Sequence, residues 1–234
     1  MYEETPVIKN VEYSIERLLS LSPDEHVRYY YNPVTQLPPQ TVEDRGKLTI
    51  VLDMDETLLH TTFLTPFTTH LSFDFVVEYS PDHKRGVTLR PFLLQFIEQG
   101  SKCFEFIVFT AGLKEYADPI LDHIDPSHTY IKHRLYREAT TKLKNTHVKP
   151  VEYLNRDIKK VILVDNTIWN LLASPDNSIL IPNFYTNRQD VQIHALANLL
   201  VHIANHSMED VRVFLRERVQ VRQKLANCKC QYIE

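Results

Sequence analysis

Leu48-Thr49-Ile50-Val51-Leu52-Asp53-Met54-Asp55-Glu56-Thr57 is the stretch that decides the fold. Its first five residues are almost all apolar and rich in β-branched side chains, which is typical of a strand buried in a parallel sheet. Two aspartates and a threonine follow at once, at alternate positions. The stretch therefore predicts a buried strand that ends in a polar site.

Three more apolar runs and several helical patterns follow along the chain. The apolar runs cover residues 104–109, 160–164 and 178–181, and the helical patterns cover residues 91–99, 115–124 and 151–155. Strands that alternate with helices are typical of an α/β fold, in which helices cover both faces of a parallel sheet. Residues 73–79 and 86–89 alternate between apolar and polar side chains, which predicts a small β-hairpin inserted after the first strand.

The chain is predicted to divide into residues 1–46, 47–218 and 219–234. The first part is an accessory segment, with a helix followed by a stiff, extended strap rich in Tyr and Pro. The apolar face of that helix holds Val11, Ile15, Leu18 and Leu19. Packing on the main domain is the commoner role of the strap aromatics, and docking of a regulatory protein partner is the alternative.

The middle part contains the sheet and ends in helical patterns. Residues 191–203 and 208–225 predict two helices. The last part is the end of the second helix and a solvated tail. Cys228-Lys229-Cys230 in this tail offers only two thiols and no nearby His, which argues against a zinc site.

Composition narrows the class of protein. The 234 residues are 43% hydrophobic and 24% charged, with a net charge of −4, so no global basic field favours nucleic acid or anionic lipid. No apolar run reaches the roughly 20 residues that span a bilayer. An odd number of cysteines predicts a reducing compartment. The acidic N-terminus resembles neither a secretory signal nor a mitochondrial presequence, which predicts a nuclear or cytoplasmic protein.

Polar residues stand at the carboxyl ends of three predicted strands. Asp53 and Asp55 follow the first, Thr110 the second, and Asp165 and Asn166 the third. Ligands bind beyond these ends in open parallel sheets. Carboxylates that directly follow apolar residues are costly to bury unpaired, and a divalent cation held between Asp53 and Asp165 would remove that cost. Oxygen donors of this kind favour magnesium (Mg²⁺).

The same residues fit phosphoryl transfer. Asp53 can attack phosphorus as a nucleophile and form an aspartyl-phosphate, and Asp55 can act as the general acid and base. Thr57 and Thr110 supply hydroxyl groups, and Lys149 supplies a fixed positive charge for the phosphate.

These motifs resemble the four motifs of the haloacid-dehalogenase superfamily. The chain more narrowly resembles its FCP/SCP branch, the protein serine phosphatases related to the RNA polymerase II C-terminal-domain phosphatases. The resemblance extends over roughly residues 47–218. It includes Phe109-Thr110-Ala111-Gly112, Arg90-Pro91, Tyr116-Ala117-Asp118-Pro119, Arg134-Leu135-Tyr136-Arg137-Glu138, Asn155-Arg156-Asp157 and Pro175-Asp176-Asn177.

The resemblance implies a haloacid-dehalogenase-like (Rossmannoid) sheet without a large cap domain, and a role for each matched residue. Asp53 is then the nucleophile and Asp55 the acid and base. Magnesium is held by Asp53, the backbone carbonyl of Asp55 and Asn166, with Asp165 acting through water. Thr57, Thr110, Arg137 and Lys149 belong to the phosphate site. An uncapped cleft suits a phosphorylated protein substrate better than a small metabolite.

Other interpretations remain open for single residues. Thr110 is alternatively a cap of the following helix. Arg137 is alternatively an ion-pair partner of Glu138 or Asp165, and Asn166 is alternatively a turn residue. The chain also departs from the family pattern at three places. These are Leu89, Ala139-Thr140 and Thr167-Ile168.

A second function is compatible with part of the sequence. Residues 137–140, 147–149 and 154–157 are similar to Tim50, a presequence-binding subunit of the mitochondrial inner-membrane translocase, which shares the fold. The complete Asp53, Asp55 and Thr57 set argues against that alternative. A small-molecule phosphatase is a third alternative, disfavoured by the missing cap.

Overall fold

The computed structural model describes residues 15–228, except residues 69, 81–82, 144 and 207–208. The strands are β1 (Leu48–Leu52), β2 (Leu59–Phe63), β3 (Phe75–Ser80), β4 (His83–Leu89), β5 (Phe104–Phe109), β6 (Ile131–Leu135), β7 (Thr141–Leu143), β8 (Thr146–Val148), β9 (Val161–Asp165) and β10 (Ser178–Leu180). The helices are α1 (Ile15–Leu19), α2 (Pro23–Tyr30), α3 (Leu93–Gly100), α4 (Lys114–Ile124), α5 (Gln192–Asn205), α6 (Val211–Arg218) and α7 (Val221–Asn227).

A five-stranded parallel sheet forms the centre of the molecule, in the order β10-β9-β1-β5-β6. All residues of β5 and β9 are buried, as expected for strands covered on both faces. This confirms the predicted α/β fold. Strand β6 was not predicted, because its centre is the polar run Lys132-His133-Arg134. Strand β6 is an edge strand that pairs only with β5, so its side chains need not be apolar.

A smaller antiparallel sheet, β2-β4-β3, lies between β1 and β5 in the chain. The predicted hairpin is β3 and β4, and the structure adds β2 directly after the Asp53–Thr57 stretch. The added strand was missed because Leu59-His60-Thr61-Thr62-Phe63 holds three polar residues in succession. Between β1 and β5, the described residues form only this small sheet, its loops and α3.

Alternate residues of the central strands point to two separate cores. Ile50 and Val108 face the core under α3, α4 and α5. Val51 and Ile107 face a second core on the opposite side of the sheet. The accessory segment contributes Leu18, Tyr30 and Leu37 to this second core, and α7 contributes Val221 and Leu225. Tyr30, predicted to lie in the extended strap, is instead the last residue of α2, and it packs on the sheet with only 1% of its surface exposed.

Two helical predictions differ from the structure. The predicted helix over residues 208–225 is broken into α6 and α7, because Gln220 adopts a left-handed backbone with φ of 57°. The predicted helix over residues 151–155 is a single 3-10 turn, Val151–Tyr153. Val11 of the predicted N-terminal helix and the tail from residue 229 lie outside the described residues. No helix in the described ranges has the length and hydropathy needed to cross a bilayer.

Candidate active site

The predicted site residues meet at the carboxyl edge of the central sheet. Asp53 follows β1, Thr110 follows β5 and Asp165 ends β9, and these three strands are hydrogen-bonded neighbours. Strand β1 lies in the middle, with β9 on one side and β5 on the other. The sheet therefore gathers residues that are more than one hundred positions apart in the chain.

Lys149 bridges the two carboxylates of this edge. Its Nζ lies 2.5 Å from Asp53 Oδ1 and 2.6 Å from Asp165 Oδ2. The Lys149 side chain is completely buried, as is that of Asp165. Burial alone would lower the pKa of Lys149, but the adjacent carboxylates of Asp165 and Asp53 raise it overall. The ammonium is therefore held as a cation behind Asp53 instead of lining the open cavity.

Burial and the nearby charge of Asp53 raise the pKa of Asp165, although its contact with Lys149 opposes this change. Asp165 also accepts hydrogen bonds from the Thr167 N–H at 2.7 Å and from Asn170 Nδ2 at 3.2 Å. These partners fix the orientation of its carboxylate.

A tight turn after Asp53 places Thr57 beside it. The N–H groups of Thr57, Leu58 and Leu59 all donate to the carbonyl of Met54. Glu56 within this turn has φ of 57°, in the left-handed region. The turn brings Thr57 Oγ1 to 2.8 Å from Asp53 Oδ2.

The Thr57 hydroxyl also meets the loop after β9. Its Oγ1 lies 3.1 Å from Asn166 Oδ1 and accepts the Asn166 N–H at 3.2 Å. Thr57 is fully buried. The structure therefore places this predicted phosphate-site residue between Asp53 and Asn166, and its hydroxyl orients both.

Asp55 lies against the small sheet and α4. Its carboxyl group accepts a hydrogen bond from the Tyr116 hydroxyl, which is also 2.9 Å from Thr61 Oγ1. Burial, followed by the charges of Asp53 and Glu56, raises the pKa of Asp55 to about 7, although the Tyr116 hydrogen bond lowers it. A carboxyl group in this environment can hold a proton near neutral pH.

An open cavity of about 550 Å³ lies over these residues. Asp53, Asp55, Thr110, Arg137 and Asn166 all contribute to its lining. The lining therefore brings together five of the eight predicted site residues, and Thr57, Lys149 and Asp165 lie behind it.

Thr110 follows β5 and Arg137 follows the neighbouring strand β6, and both side chains line the cavity. Thr110 Oγ1 accepts the Gly112 N–H at 2.9 Å, while the N-cap of α4 is Leu113, so Thr110 does not cap that helix. Arg137 Nε donates to the Ala111 carbonyl at 2.7 Å. Among the described residues, neither Glu138 nor Asp165 forms an ion pair with Arg137.

The residues present fit a bound magnesium ion by their chemistry. One ammonium facing two buried carboxylates leaves an excess negative charge, which a divalent cation would offset. Carboxylate, amide and carbonyl oxygens are the hard donors that Mg²⁺ prefers. No group of three or more His, Cys, Asp or Glu side chains is arranged to hold a metal within the described ranges. A magnesium site here therefore depends on the amide of Asn166 and the carbonyl of Asp55 beside Asp53.

Sequence reasoning missed the contribution of the small sheet and of one buried arginine. Thr61, Tyr79 and Arg85 of the small sheet also line the cavity. Tyr116 belongs to the family motif Tyr116-Ala117-Asp118-Pro119, but the sequence predicted no role for its hydroxyl. Arg90 belongs to the motif Arg90-Pro91, also without a predicted role, and its buried guanidinium donates to the Thr57 carbonyl at 2.9 Å. Arg85 lies just before the predicted stretch 86–89, and no local pattern marked it, because its position follows from the pairing of β2, β3 and β4.

Comparisons with known proteins give the family and the fold of this chain. Residues 48–212 match the family model described as NLI interacting factor-like phosphatase. A probable C-terminal domain small phosphatase of Dictyostelium discoideum is 37% identical over 175 residues, which are 74% of this chain and 55% of that protein. The CTD small phosphatase-like protein 3 of Caenorhabditis elegans is 34% identical over 194 residues, which are 82% of this chain and 67% of that protein.

The chain spans about half the length of some curated relatives that it matches, 51% of one and 55% of another. A solved structure of the fission yeast RNA polymerase II CTD phosphatase Fcp1, in a variant bound to beryllium fluoride, aligns with a TM-score of 0.54. The alignment covers 78% of this chain and 67% of that chain at 16% identity, so this likeness concerns the fold.

Proposed function

Because the chain belongs to the NLI interacting factor-like phosphatase family, we propose that it is a magnesium-dependent protein serine/threonine phosphatase that forms an aspartyl-phosphate. The observation that carries this proposal is the joint position of Asp53 and Asp55 in the wall of one open cavity. Asp53 is held by Lys149 and Thr57, and Asp55 by Tyr116. The nucleophile and the acid therefore have separate, fixed environments.

The first half of the reaction transfers the phosphoryl group to the protein. A carboxylate oxygen of Asp53 attacks phosphorus in line with the leaving oxygen of the substrate side chain. The bond from phosphorus to that oxygen breaks as the new bond forms. Asp55 gives its proton to the leaving oxygen, which departs as a serine or threonine hydroxyl.

The second half restores the enzyme. Asp55, now a carboxylate, takes a proton from a water molecule whose oxygen attacks phosphorus. The bond between phosphorus and Asp53 breaks, inorganic phosphate leaves, and both side chains return to their starting forms. Lys149 keeps Asp53 oriented, while Thr110 and Arg137 stand in the cavity wall to donate to phosphate oxygens.

Asp53, the Asp55 carbonyl and Asn166 would hold the magnesium ion, with Asp165 acting through water. A bound Mg²⁺ supplies positive charge that offsets the repulsion between the phosphate and the carboxylates.

We assign a phosphorylated protein side chain as the substrate, because the cavity is open and no large insertion stands between β1 and β5 in the described residues. Two of the similar proteins are named as phosphatases of the RNA polymerase II C-terminal domain. Together with the resemblance to the protein serine phosphatases, this favours phosphoserine in a sequence of that kind. A regulatory protein partner on residues 1–46 and a nuclear or cytoplasmic location are predictions that belong to the same proposal.

Hydrolysis of a generic aryl phosphate tests the proposal. The wild-type protein should release phosphate only when Mg²⁺ is present, and Asp53→Asn should reduce kcat by at least about 10³-fold, because the amide cannot act as the nucleophile. Asp122→Asn is the matched control, since Asp122 is a surface residue paired with Arg134 and His128. Wild-type protein that is folded but inactive with Mg²⁺ would move the assignment to the Tim50-like, presequence-binding alternative.

A further inference from the structure

Arg85 is a second arginine in the wall of the active-site cavity, and the proposed reaction does not use it. It projects from β4 of the small sheet. Its guanidinium carbon lies 3.6 Å from the centre of the Phe63 ring. Its Nη1 donates to Thr61 Oγ1 at 3.2 Å and its Nε to the Tyr79 hydroxyl at 3.3 Å. An aromatic face and two neutral hydroxyls therefore fix the group in place.

Arg85 differs from two other cations near the small sheet, because each of those is paired with a carboxylate. Lys84 pairs with Glu78 at 2.8 Å, and Arg188 pairs with Asp74 at 2.8 Å. Within the described ranges, Arg85 has no carboxylate partner at ion-pair distance. A guanidinium that is fixed in a cavity wall and forms no ion pair with the described residues is suited to bind an anion.

The position of Arg85 sets how far this anion lies from the reacting phosphate. A path of hydrogen bonds runs from Arg85 to Thr61, then to Tyr116, then to Asp55. Three hydrogen bonds of about 3 Å each place the guanidinium at most about 9 Å from the Asp55 carboxyl group. Two residues of an extended peptide span about 7 Å. An anion on a neighbouring residue of the same peptide therefore lies within reach of Arg85, while Thr110 and Arg137 in the cavity wall are available to the target phosphate.

We propose that Arg85 binds a second anionic group of the substrate, a phosphate or a carboxylate, two or three residues from the phosphorylated side chain that is hydrolysed. This inference rests on the proposed function. It makes Arg85 a specificity-determining residue, whereas Arg137 serves the reacting phosphate.

The test uses three sets of peptides with one target phosphoserine. The residue two or three positions away, on either side, is a second phosphoserine, a glutamate or an alanine. For wild-type protein, kcat/KM should be about 10- to 100-fold higher with an anion than with alanine, in at least one position, as for a charge-assisted hydrogen bond. Arg85→Met should bring this ratio close to one. Lys84→Met, which removes the same charge from the adjacent exposed residue, should leave the ratio as in the wild type.

Comparing phosphoserine with glutamate shows which kind of substrate provides the second anion. A response to phosphoserine alone identifies multiply phosphorylated substrates, and an equal response to glutamate identifies acidic ones. Arg85→Lys keeps the charge without the planar fork and should give an intermediate ratio, which guards against loss of folding in the Met variant. An equal loss with all three peptides, or no preference in the wild type, would overturn the inference.

Failure of the proposed function is distinguishable from failure of this inference. Peptide affinity for Asp53→Asn, measured by isothermal titration calorimetry, reports the preference without turnover. A preference that persists there and disappears in Asp53→Asn combined with Arg85→Met supports the anion site even if hydrolysis is not observed.

Discussion

Lys149 supplies the positive charge that faces the two buried carboxylates of the candidate site. It is fully buried between Asp53 and Asp165, and these are its two ion-pair partners among the described residues. Breaking a buried pair by removing one partner leaves an uncompensated charge in a poorly solvated place. In this protein, removal of the ammonium leaves two carboxylates facing each other.

Lys149→Met should lower the free energy of unfolding by about 3–5 kcal/mol and abolish phosphatase activity, because both carboxylates lose their counter-charge. Combining it with Asp165→Asn should recover part of the stability but none of the activity. Urea unfolding at neutral pH measures the first effect and aryl phosphate hydrolysis the second. The control Lys159→Met removes an exposed pair with Glu209 and should change stability by less than about 1 kcal/mol. A stable, active Lys149→Met protein would contradict the assigned role.

Arg90 joins three segments that flank the site. Its guanidinium donates to the carbonyl of Thr57 after β1 and to the carbonyl of Pro182 after β10, each at 2.9 Å. It also forms two hydrogen bonds to Asp190, at 2.8 and 3.0 Å, just before α5. The side chain has no exposed surface. Its planar fork can satisfy all three segments at once, which a lysine ammonium cannot do in the same geometry.

Arg90→Lys should therefore destabilise the protein by about 2–4 kcal/mol, since buried acceptors lose their donors. It should also lower kcat/KM, because the turn that carries Thr57 loses an anchor. The matched control is Arg188→Lys, at an exposed pair with Asp74, where the expected change is below about 1 kcal/mol. Thermal unfolding and aryl phosphate kinetics of both variants decide the matter. Equal behaviour of the two variants would show that the fork geometry is unimportant.

The connection between α4 and β6 is organised by Asp125. Its buried carboxylate accepts the N–H groups of Thr129, Tyr130 and Ile131 at 2.9–3.0 Å. Burial alone would raise the pKa of Asp125, but these three donors hold it below its usual range. The carboxylate thereby fixes the start of an edge strand whose own sequence is polar.

This depressed pKa predicts how stability depends on pH. A carboxyl group with a lower pKa in the folded state contributes stability above its unfolded pKa, near 4, and loses it as the pH falls through the folded value. Asp125→Ala should be about 2–3 kcal/mol less stable than the wild type at pH 7, and the difference should shrink below about pH 4. Urea unfolding of both proteins from pH 7 to pH 2.5 checks the prediction. A difference that is constant over this range would exclude the carboxylate as its cause.

A buried polar network ties the accessory segment to the central sheet. Arg156 forms an ion pair with Glu105 of β5, and both side chains are 2% exposed. The same guanidinium donates to the Pro38 carbonyl at 2.7 Å, while Gln40 donates to Glu105 at 2.9 Å. Thr49 of β1 donates to Glu105 at 2.7 Å. The strap is thus held by these polar contacts and by Leu37 in the core, and the preceding helix α2 is held by Tyr30.

Arg156→Met should lower the free energy of unfolding by about 3–5 kcal/mol, because Glu105 would remain buried without its partner. Amide hydrogen exchange over residues 33–46 should increase more than exchange in β1 or β5. Adding Glu105→Gln should restore part of the stability. Lys159→Met, at an exposed pair with Glu209 outside the strap, is the control and should leave exchange in the strap unchanged. Uniform faster exchange throughout the molecule would contradict a local tether.

The sequence by itself determined the parallel sheet and the edge at which the site lies. Buried parallel strands are apolar over short, continuous runs, and β1, β5 and β9 carry this signal within five or six residues. The polar residue that follows each run must lie at the carboxyl end of its strand. Because these ends meet at one edge of a parallel sheet, the sequence was enough to predict that Asp53, Thr110 and Asp165 lie there. The D-x-D-x-T spacing and the family resemblance supplied the roles proposed for them.

Tertiary structure alone decided which groups touch. Lys149 lies 96 positions from Asp53, and Arg90 lies 100 positions from Asp190, so no local pattern encodes either contact. Edge strand β6 and strand β2 carry polar residues because one side or face of each meets solvent, which removes the apolar signal. Arg85 reaches the cavity only because β2, β3 and β4 pair in one register. Local sequence fixes backbone conformation and burial, whereas contacts between side chains depend on how distant segments pack.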